Sequence, residues 1–469
     1  VAAALIWLRR DLRINDNLAL YNAISSGHQL GVVFVLDDAI LSSPRIGAAR
    51  VAFMCGALYA LDATLRAAGS RLLIRRGAPA QVIPATAREL SAVAVYANVD
   101  YTPYARRRDS MVAEALIDIP LILSHDRLMV PPEEIATNAG NPYTVFTPFS
   151  KKWHAMPKAV SEPVEVDLQD ALLDLSGVES LSVPTPESLG FSSPVPLPEA
   201  SPTAARTRLK DFAADRIHDY KNARNILGDF GDPRNGTSCL SPYIRWGLLS
   251  PREIFHAAND AAAIAPDDAA RESVHAWLNE IVWHEFYTSV LWHFPHVVTH
   301  NFNRRYDGIH WRDDAADFTA WAEGRTGYPV VDAAMRQLVS TGWMHNRARM
   351  ITASFLTKDL LINWREGERF FMRHLIDGDL AANNGGWQWA AGTGTDAQPF
   401  FRIFNPVAQS MRFDLDGTYI RRWVPELDHL PAKYIHAPWN VPSQMRNYPT
   451  PIIDHAFARQ RALDAFKLI

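Results

Sequence analysis

Short apolar runs recur through the first third of the chain. Ala4-Leu5-Ile6-Trp7-Leu8, Gly31 to Leu36, Arg71 to Ile74, Val93 to Tyr96 and Leu121 to Leu123 are runs of this kind. They are suited to strands buried on both faces in a parallel sheet. Between them, Ala48 to Ala68 and Pro79 to Leu90 read as helices. This rhythm predicts a doubly wound α/β domain of about 125 residues. From about 160 to 203 the chain changes character, with Pro163, Pro184, Pro186, Pro194, Pro196, Pro198 and Pro202 set in Ser- and Glu-rich sequence. That composition predicts a long connector laid over the surface. From Thr203 onward helical periods dominate. The expected organisation is an α/β domain with a parallel sheet at 1–130, a connector at 131–205 and a large all-α domain at 206–469. Twelve of the fourteen tryptophans lie from Trp246 onward, which puts the aromatic chemistry in the helical part.

With 469 residues, 48% hydrophobic and 21% charged, the chain has the composition of two or three globular domains. A net charge of -4 excludes a uniformly basic coat but leaves room for a local basic groove. Only Cys55 and Cys239 are present, which excludes a disulfide framework and a four-cysteine cluster and fits a reducing compartment. No apolar run reaches the roughly eighteen residues of a membrane span, so none is expected. His28 and the other histidines lack metal-ligand spacing, and no metal is assigned. A G-x-G-x-x-G fingerprint is missing, so a Rossmann dinucleotide site is not expected.

Polar chemistry is densest in Asp377-Gly378-Asp379-Leu380-Ala381-Ala382-Asn383-Asn384-Gly385-Gly386-Trp387-Gln388-Trp389. Paired carboxylates can anchor ligand N–H and O–H groups, indoles can stack on rings, and glycine lets backbone approach a flat ligand. A polar glycine-rich loop is the competing reading. Gly236-Thr237-Ser238-Cys239-Leu240-Ser241-Pro242 reads either as a phosphate-binding turn or as a helix cap. Within Trp277 to Tyr287, Trp277, Glu280, Trp283 and His284 fall near one helical face. Glu280 there is either a surface ion pair or a ligand-facing acid whose pKa burial would raise. Thr341 to Met350 reads as a helix carrying Asn346, Arg347, Arg349 and Met350, suited to phosphates and an amide-bearing ring, or as a solvated face.

Together these segments resemble the DNA photolyase and cryptochrome flavoproteins. Leu8-Arg9-Arg10-Asp11-Leu12-Arg13 with Asp16-Asn17, Gly327 to Arg336, and the run from Asp377 to Trp389 are similar to that family's signatures. The likeness is greatest to microbial class I cyclobutane pyrimidine dimer photolyases. It implies a flavoprotein lyase, deoxyribodipyrimidine photo-lyase, that repairs UV-damaged DNA under blue light. Excited reduced FAD would donate an electron to a flipped-out dimer, the ring would split, and the electron would return. By the resemblance, Tyr220, Thr237, Ser238, Leu240, Ser241, Trp277, Asn346, Asp377, Gly378, Asp379 and Asn383 would hold FAD. Asn383 would sit at the flavin N5. Glu280, Asn346 and Met350 would act with Asn383 on the dimer. Trp283, Arg347, Trp389 and Arg402 would join Glu280 in binding the lesion and its DNA. Trp387, Trp364 and Trp311 would carry electrons from the surface, a role compatible with core packing. Lys151, Lys152, Arg224, Arg349 and Arg421 are further candidates for a basic rim.

The resemblance also implies an antenna chromophore. The run Thr102-Pro103-Tyr104-Ala105-Arg106 is similar to the branch that binds 8-hydroxy-5-deazaflavin, with methenyltetrahydrofolate, FMN or an empty seat as alternatives. Arg9, Asp11, Asp37 and Arg50 are its candidate contacts. A cytoplasmic bacterial or archaeal monomer working at the nucleoid is expected, with no membrane and no obligate protein partner. The alternatives are a (6-4) photolyase, which typically has histidines in the region of Asn346 and Met350, and a cryptochrome acting in blue-light signalling. Asn383 and the lack of a long tail after Ile469 speak against the latter.

Overall fold

The computed structural model describes residues 1–469 apart from 159, 194, 233, 234, 398 and 400. Pro194 of the expected connector therefore lies outside the described residues. Five strands, β1 (Ala3–Leu8), β2 (Gln29–Leu36), β3 (Leu72–Arg76), β4 (Ala92–Asn98) and β5 (Leu121–Ser124), form a sheet of order β3-β2-β1-β4-β5. Every pairing is parallel, so each predicted strand forms and the order reverses between β1 and β4. The runs lack polar alternation because both faces are covered. Ile6, Leu8, Val32 and Phe34 pack with α1 (Leu18–Ser25) and α2 (Ala48–Ala67). Leu5, Trp7, Val33 and Val35 pack with α3 (Pro79–Glu89) and α4 (Pro103–Leu116). By length and composition α2 could cross a membrane, contrary to expectation, but most of it is buried and its Val51, Phe53, Leu58 and Leu61 lie in the core.

The connector is more ordered than its prolines predicted. It contains α5 (Phe146–Ala155), and Leu172 and Leu181 form isolated bridges to Leu30 and Ile74. Those bridges satisfy backbone groups that a loose linker would leave to water. The helical region holds α6 (Asp268–His293), α7 (Pro329–Thr341), α8 (Asn346–Ser354), α9 (Trp364–His374) and α10 (Leu380–Ala391). The core that fills one sheet face continues through Phe212, Tyr243, Ile254, Val274 and Trp277. No packing gap therefore marks the step near residue 205. A second core, with Trp321, Val331, Met335, Leu356, Trp364 and Trp387, lies among α7 to α10.

Buried charges join the two regions. Asp126 pairs with Arg13 and Arg252 at 2.6 Å each, and Arg252 also pairs with Asp16 at 2.7 Å. All four side chains are almost fully buried. Arg10 pairs with Asp100 at 3.5 Å and with Asp379 across the joint.

Candidate functional site

Helix α6 aligns the first group. Trp277 is buried against Phe212 at 5.3 Å, and Glu280 and Trp283 follow at helical spacings, both half-buried. Glu280 pairs with Arg224 Nη1 at 2.6 Å, with its side chain 30% exposed. Burial pushes its carboxyl above the usual range, against the pull of Arg224 and Arg347. Both sequence readings of Glu280 thus hold in part: it is ion-paired, and it is also a partly desolvated acid. Trp283 stacks on Phe146 with ring centroids 3.6 Å apart.

Thr341 to Met350 is not one helix. Gly342 takes φ 70° and ends α7, and His345 caps α8, whose first residue is Asn346. A Cβ at Gly342 would meet Ile376 Cγ2 at 2.9 Å, so the close approach as well as the left-handed turn requires glycine. The break leaves Asn346 exposed and Met350 half-buried. Arg347 donates to Asn225 Oδ1 at 2.6 Å, and Arg349 donates to Asp377 Oδ2 at 2.7 Å. Burial lowers the Arg347 guanidinium to about 10, with Arg224 and Arg412 adding to the effect.

The run from Asp377 to Trp389 is a turn followed by a helix rather than a loop. Asp379 caps α10 by accepting from the backbone of Ala381 and Ala382, and its other oxygen meets Arg10. Burial opposes this charge, yet Arg10, His284 and Arg127 outweigh it and hold Asp379 well below the usual carboxylate range. Asn383 Nδ2 donates to the Glu368 carbonyl at 3.1 Å, which orients the amide. Two of the three glycines have packing reasons inside the protein, whereas Gly386 has open space around it. A Cβ at Gly385 would lie 2.1 Å from Tyr287 Cδ1, and one at Gly378 would lie 2.1 Å from Arg50 Nη1. Both serve close packing within the protein. Trp387 and Trp364 are buried, at 2% and 0% exposure, whereas Trp311 is half-buried beside Phe466. Trp389 is half-buried at the edge of the second core.

In the turn at Gly236 to Pro242, the short helix Ser241–Arg245 is capped by Leu240 without a side-chain bond. The cap reading therefore does not explain the hydroxyls. Thr237 donates to Asn235 Oδ1 at 2.9 Å, Ser238 is half-buried, Ser241 is exposed, and Leu240 and Tyr220 are buried.

Sequence reasoning missed the residues that complete the site: Arg245, His345, Glu368 and Phe146. Single residues of these types carry no pattern, and only the fold brings them in. Arg245 Nε donates to the Gly378 carbonyl at 2.8 Å, while its Nη1 is buried without a partner. Asp377 Oδ1, His345 Nε2, Glu368 Oε1 and the Trp387 indole nitrogen are likewise buried and unpartnered. Burial lowers His345 to about 3, which keeps the ring neutral. Buried polar atoms normally find partners. Arg349 bonds Asp377 and Arg245 bonds the next residue, Gly378, and this polar strip, with unpartnered atoms of its own, fits the large polar dinucleotide cofactor that the resemblance implies.

The expected antenna contacts separate. Tyr104 donates to Asp37 Oδ2 at 2.5 Å, and burial together with Asp37 pushes the phenol up to about 12. Arg9 pairs with Asp109 at 2.9 Å, and Asp11 accepts from Asn98 at 2.7 Å. Arg50 donates to the carbonyls of Met372 and Leu375, so it ties α2 to α9. Arg9, Asp11 and Arg50 are therefore engaged within the protein. In the expected basic rim, Arg224 is held by Glu280, and Arg421 donates to the carbonyls of Asp428 and Leu430. Lys151, Lys152 and Arg402 are exposed.

The family model described as "DNA photolyase" matches residues 4–167, and "FAD binding domain of DNA photolyase" matches residues 277–468. A protein from Synechococcus sp. named deoxyribodipyrimidine photo-lyase is 46% identical, covering 97% of this chain and 94% of its own. A solved cryptochrome from Synechocystis sp. has a TM-score of 0.90 at 29% identity, covering 99% of each chain. A solved archaeal photolyase from Sulfolobus tokodaii, which holds two FAD molecules, has a TM-score of 0.84 at 30% identity, covering 100% of each chain.

Proposed function

This chain belongs to the DNA photolyase family, and on that premise we propose that it splits cyclobutane pyrimidine dimers in DNA under blue light. The observation that carries the reading is that polar atoms of Arg245, His345, Glu368 and Asp377 are buried without partners. FAD held by these residues in reduced form would supply the light-driven electron. The rest is positioning and electrostatics. Asp377, Arg349 and Arg245 form the polar floor, with Thr237, Ser238 and Ser241 toward the phosphates and Tyr220, Leu240 and Trp277 packing around the cofactor. Asp379 and Gly378 act by shaping the turn. The amide of Asn383, oriented by the Glu368 carbonyl, would help hold the cofactor without adding charge, which suits an electron-rich group. Trp283 and Trp389 stack on the everted bases, Asn346 and Met350 border them, and Glu280 bonds the dimer. A damaged pair costs less to unstack than normal bases, and this favours it over intact DNA.

The boundaries 1–130, 131–205 and 206–469 remain our working division. DNA containing a dimer is the partner, met in the cytoplasm, and no protein partner is invoked. The fold is shared with a cryptochrome, so the fold alone does not separate repair from signalling. Asn346 and Met350 in place of histidines speak against (6-4) repair. For the antenna we favour 8-hydroxy-5-deazaflavin near Asp37 and Tyr104. The two FAD molecules of the Sulfolobus tokodaii protein make a flavin the competing choice, and an absorption spectrum of the pure protein decides between them.

Blue light on the reduced holoprotein should restore a dimer-containing oligonucleotide; dimers left intact would refute the reading. Glu280→Ala should bind the dimer roughly tenfold more weakly and repair it less, the scale of a lost hydrogen bond to a charged group. Wild-type repair by this variant would remove Glu280 from the mechanism. Affinity for DNA should fall with salt. If Lys151, Lys152 and Arg402 each meet a phosphate, log K against log salt has a slope of about −3, and a flat titration would remove the rim.

A further inference from the structure

Phe146 begins α5, in the connector rather than in the helical region. Its ring lies on the Trp283 indole with centroids 3.6 Å apart and planes 5° apart. Aromatic pairs prefer offset or edge-on contacts, as Trp283 makes with Phe286 at 81°. A full sandwich therefore needs backbone that holds both rings in place. On one side, the Phe146 N–H donates to Asp396 Oδ2 at 3.0 Å, and Thr395 Oγ1 donates to the Thr144 carbonyl at 2.5 Å. Thr395 and Asp396 lie four and five residues beyond the end of α10, which carries Trp389. Asp396 sits at φ 46°, in the left-handed region that aspartate tolerates better than most non-glycine residues. On the other side, Ser150 donates to Asn279 at 2.8 Å and Trp153 donates to Glu285 at 2.6 Å. Both acceptors lie on α6, the helix of Trp283. One short segment thus spans the elements bearing the two indoles, and it occupies one face of Trp283.

We propose that Phe146 and Asp396 form a brace that sets the spacing between Trp283 and Trp389, and that this spacing selects two covalently joined pyrimidines over a single everted base. The proposal rests on the dimer-repair reading above. Phe146 and Asp396 are positioning residues: they act through the indoles and touch neither the lesion nor the cofactor. With the brace removed, Trp283 can tilt, and a fixed base pair loses its fit more than a lone base does.

The test compares wild type, Phe146→Ala, Phe146→Tyr and Asp396→Ala as holoproteins. It uses duplex oligonucleotides that carry a dimer, a single abasic-flanked thymine or no lesion. Phe146→Ala and Asp396→Ala should each bind the dimer about tenfold more weakly. Binding to the other two oligonucleotides, flavin content and thermal midpoint should stay within about twofold or a few degrees of wild type. Phe146→Tyr should restore discrimination. If both alanine variants keep the wild-type preference for the dimer, the brace is overturned. It is also overturned if they lose all three ligands in parallel, since that reports general damage rather than spacing. A wild-type protein with no preference for dimers overturns the dimer-repair reading and the brace with it.

Discussion

In Trp387→Phe protein, light with an external donor should reduce bound oxidised flavin at least about tenfold more slowly than in wild type. Repair by protein reduced chemically beforehand should stay near the wild-type level. The expectation rests on where the three tryptophans lie. Trp387 is buried, with its ring against Phe371 at 4.9 Å and Trp321 at 6.1 Å, and its N–H has no partner. Trp364 is also buried and donates to Asn301 at 2.8 Å. Trp311 reaches the surface zone. Two buried indoles and one nearer the surface supply oxidisable rings at both depths, as a relay needs. Trp387 is tightly held as well: a Cβ at Gly367 would lie 2.1 Å from its Cη2. Phenylalanine keeps most of that packing while removing the more easily oxidised ring, so the flavin spectrum should be retained. Wild-type photoreduction in the variant would leave Trp387 with a packing role alone.

Asp126→Ala should cost about 3–5 kcal/mol of stability, read as a lower urea midpoint. The Asp126 side chain is fully buried and accepts from Arg13, Arg252 and the backbone of Leu18. Burial works against its charge, and the two guanidiniums outweigh that and hold the carboxyl below its ordinary range. Removal leaves two buried cations of which only Arg252 keeps a carboxylate partner, Asp16, while Arg13 keeps the Asp16 backbone carbonyl. A loss under about 1 kcal/mol, the range of an exposed pair, would mean that water reaches this joint.

Much of this was legible in the chain. The strands were readable because a parallel sheet covered on both faces leaves unbroken apolar runs, and Val32 to Leu36 is such a run. The helical spacing of Trp277, Glu280 and Trp283 was readable because three- and four-residue steps share a face. Other features were not. The turn at Gly342 interrupts a stretch that reads as one helix, and its left-handed φ together with the approach of Ile376, Ala49 and the His374 carbonyl is the reason glycine stands there. The glycines beside Asn384 suggested contact with a ligand, yet Gly385 makes room for Tyr287 on another helix. Arg9 and Asp11 looked available for a ligand, but Arg9 meets Asp109, distant in sequence, and Asp11 accepts from Asn98 and from a local backbone atom. Long-range pairing of that kind leaves no local pattern to read.

The hydrophobic interior runs unbroken from the sheet into the helices past residue 205. Swapping the sheet-bearing half for that of another protein would therefore bare Phe212, Tyr243 and Ile254 to solvent. A working hybrid must import those side chains along with the new half, so the seam for modular engineering lies inside the helical sequence, beyond Trp277.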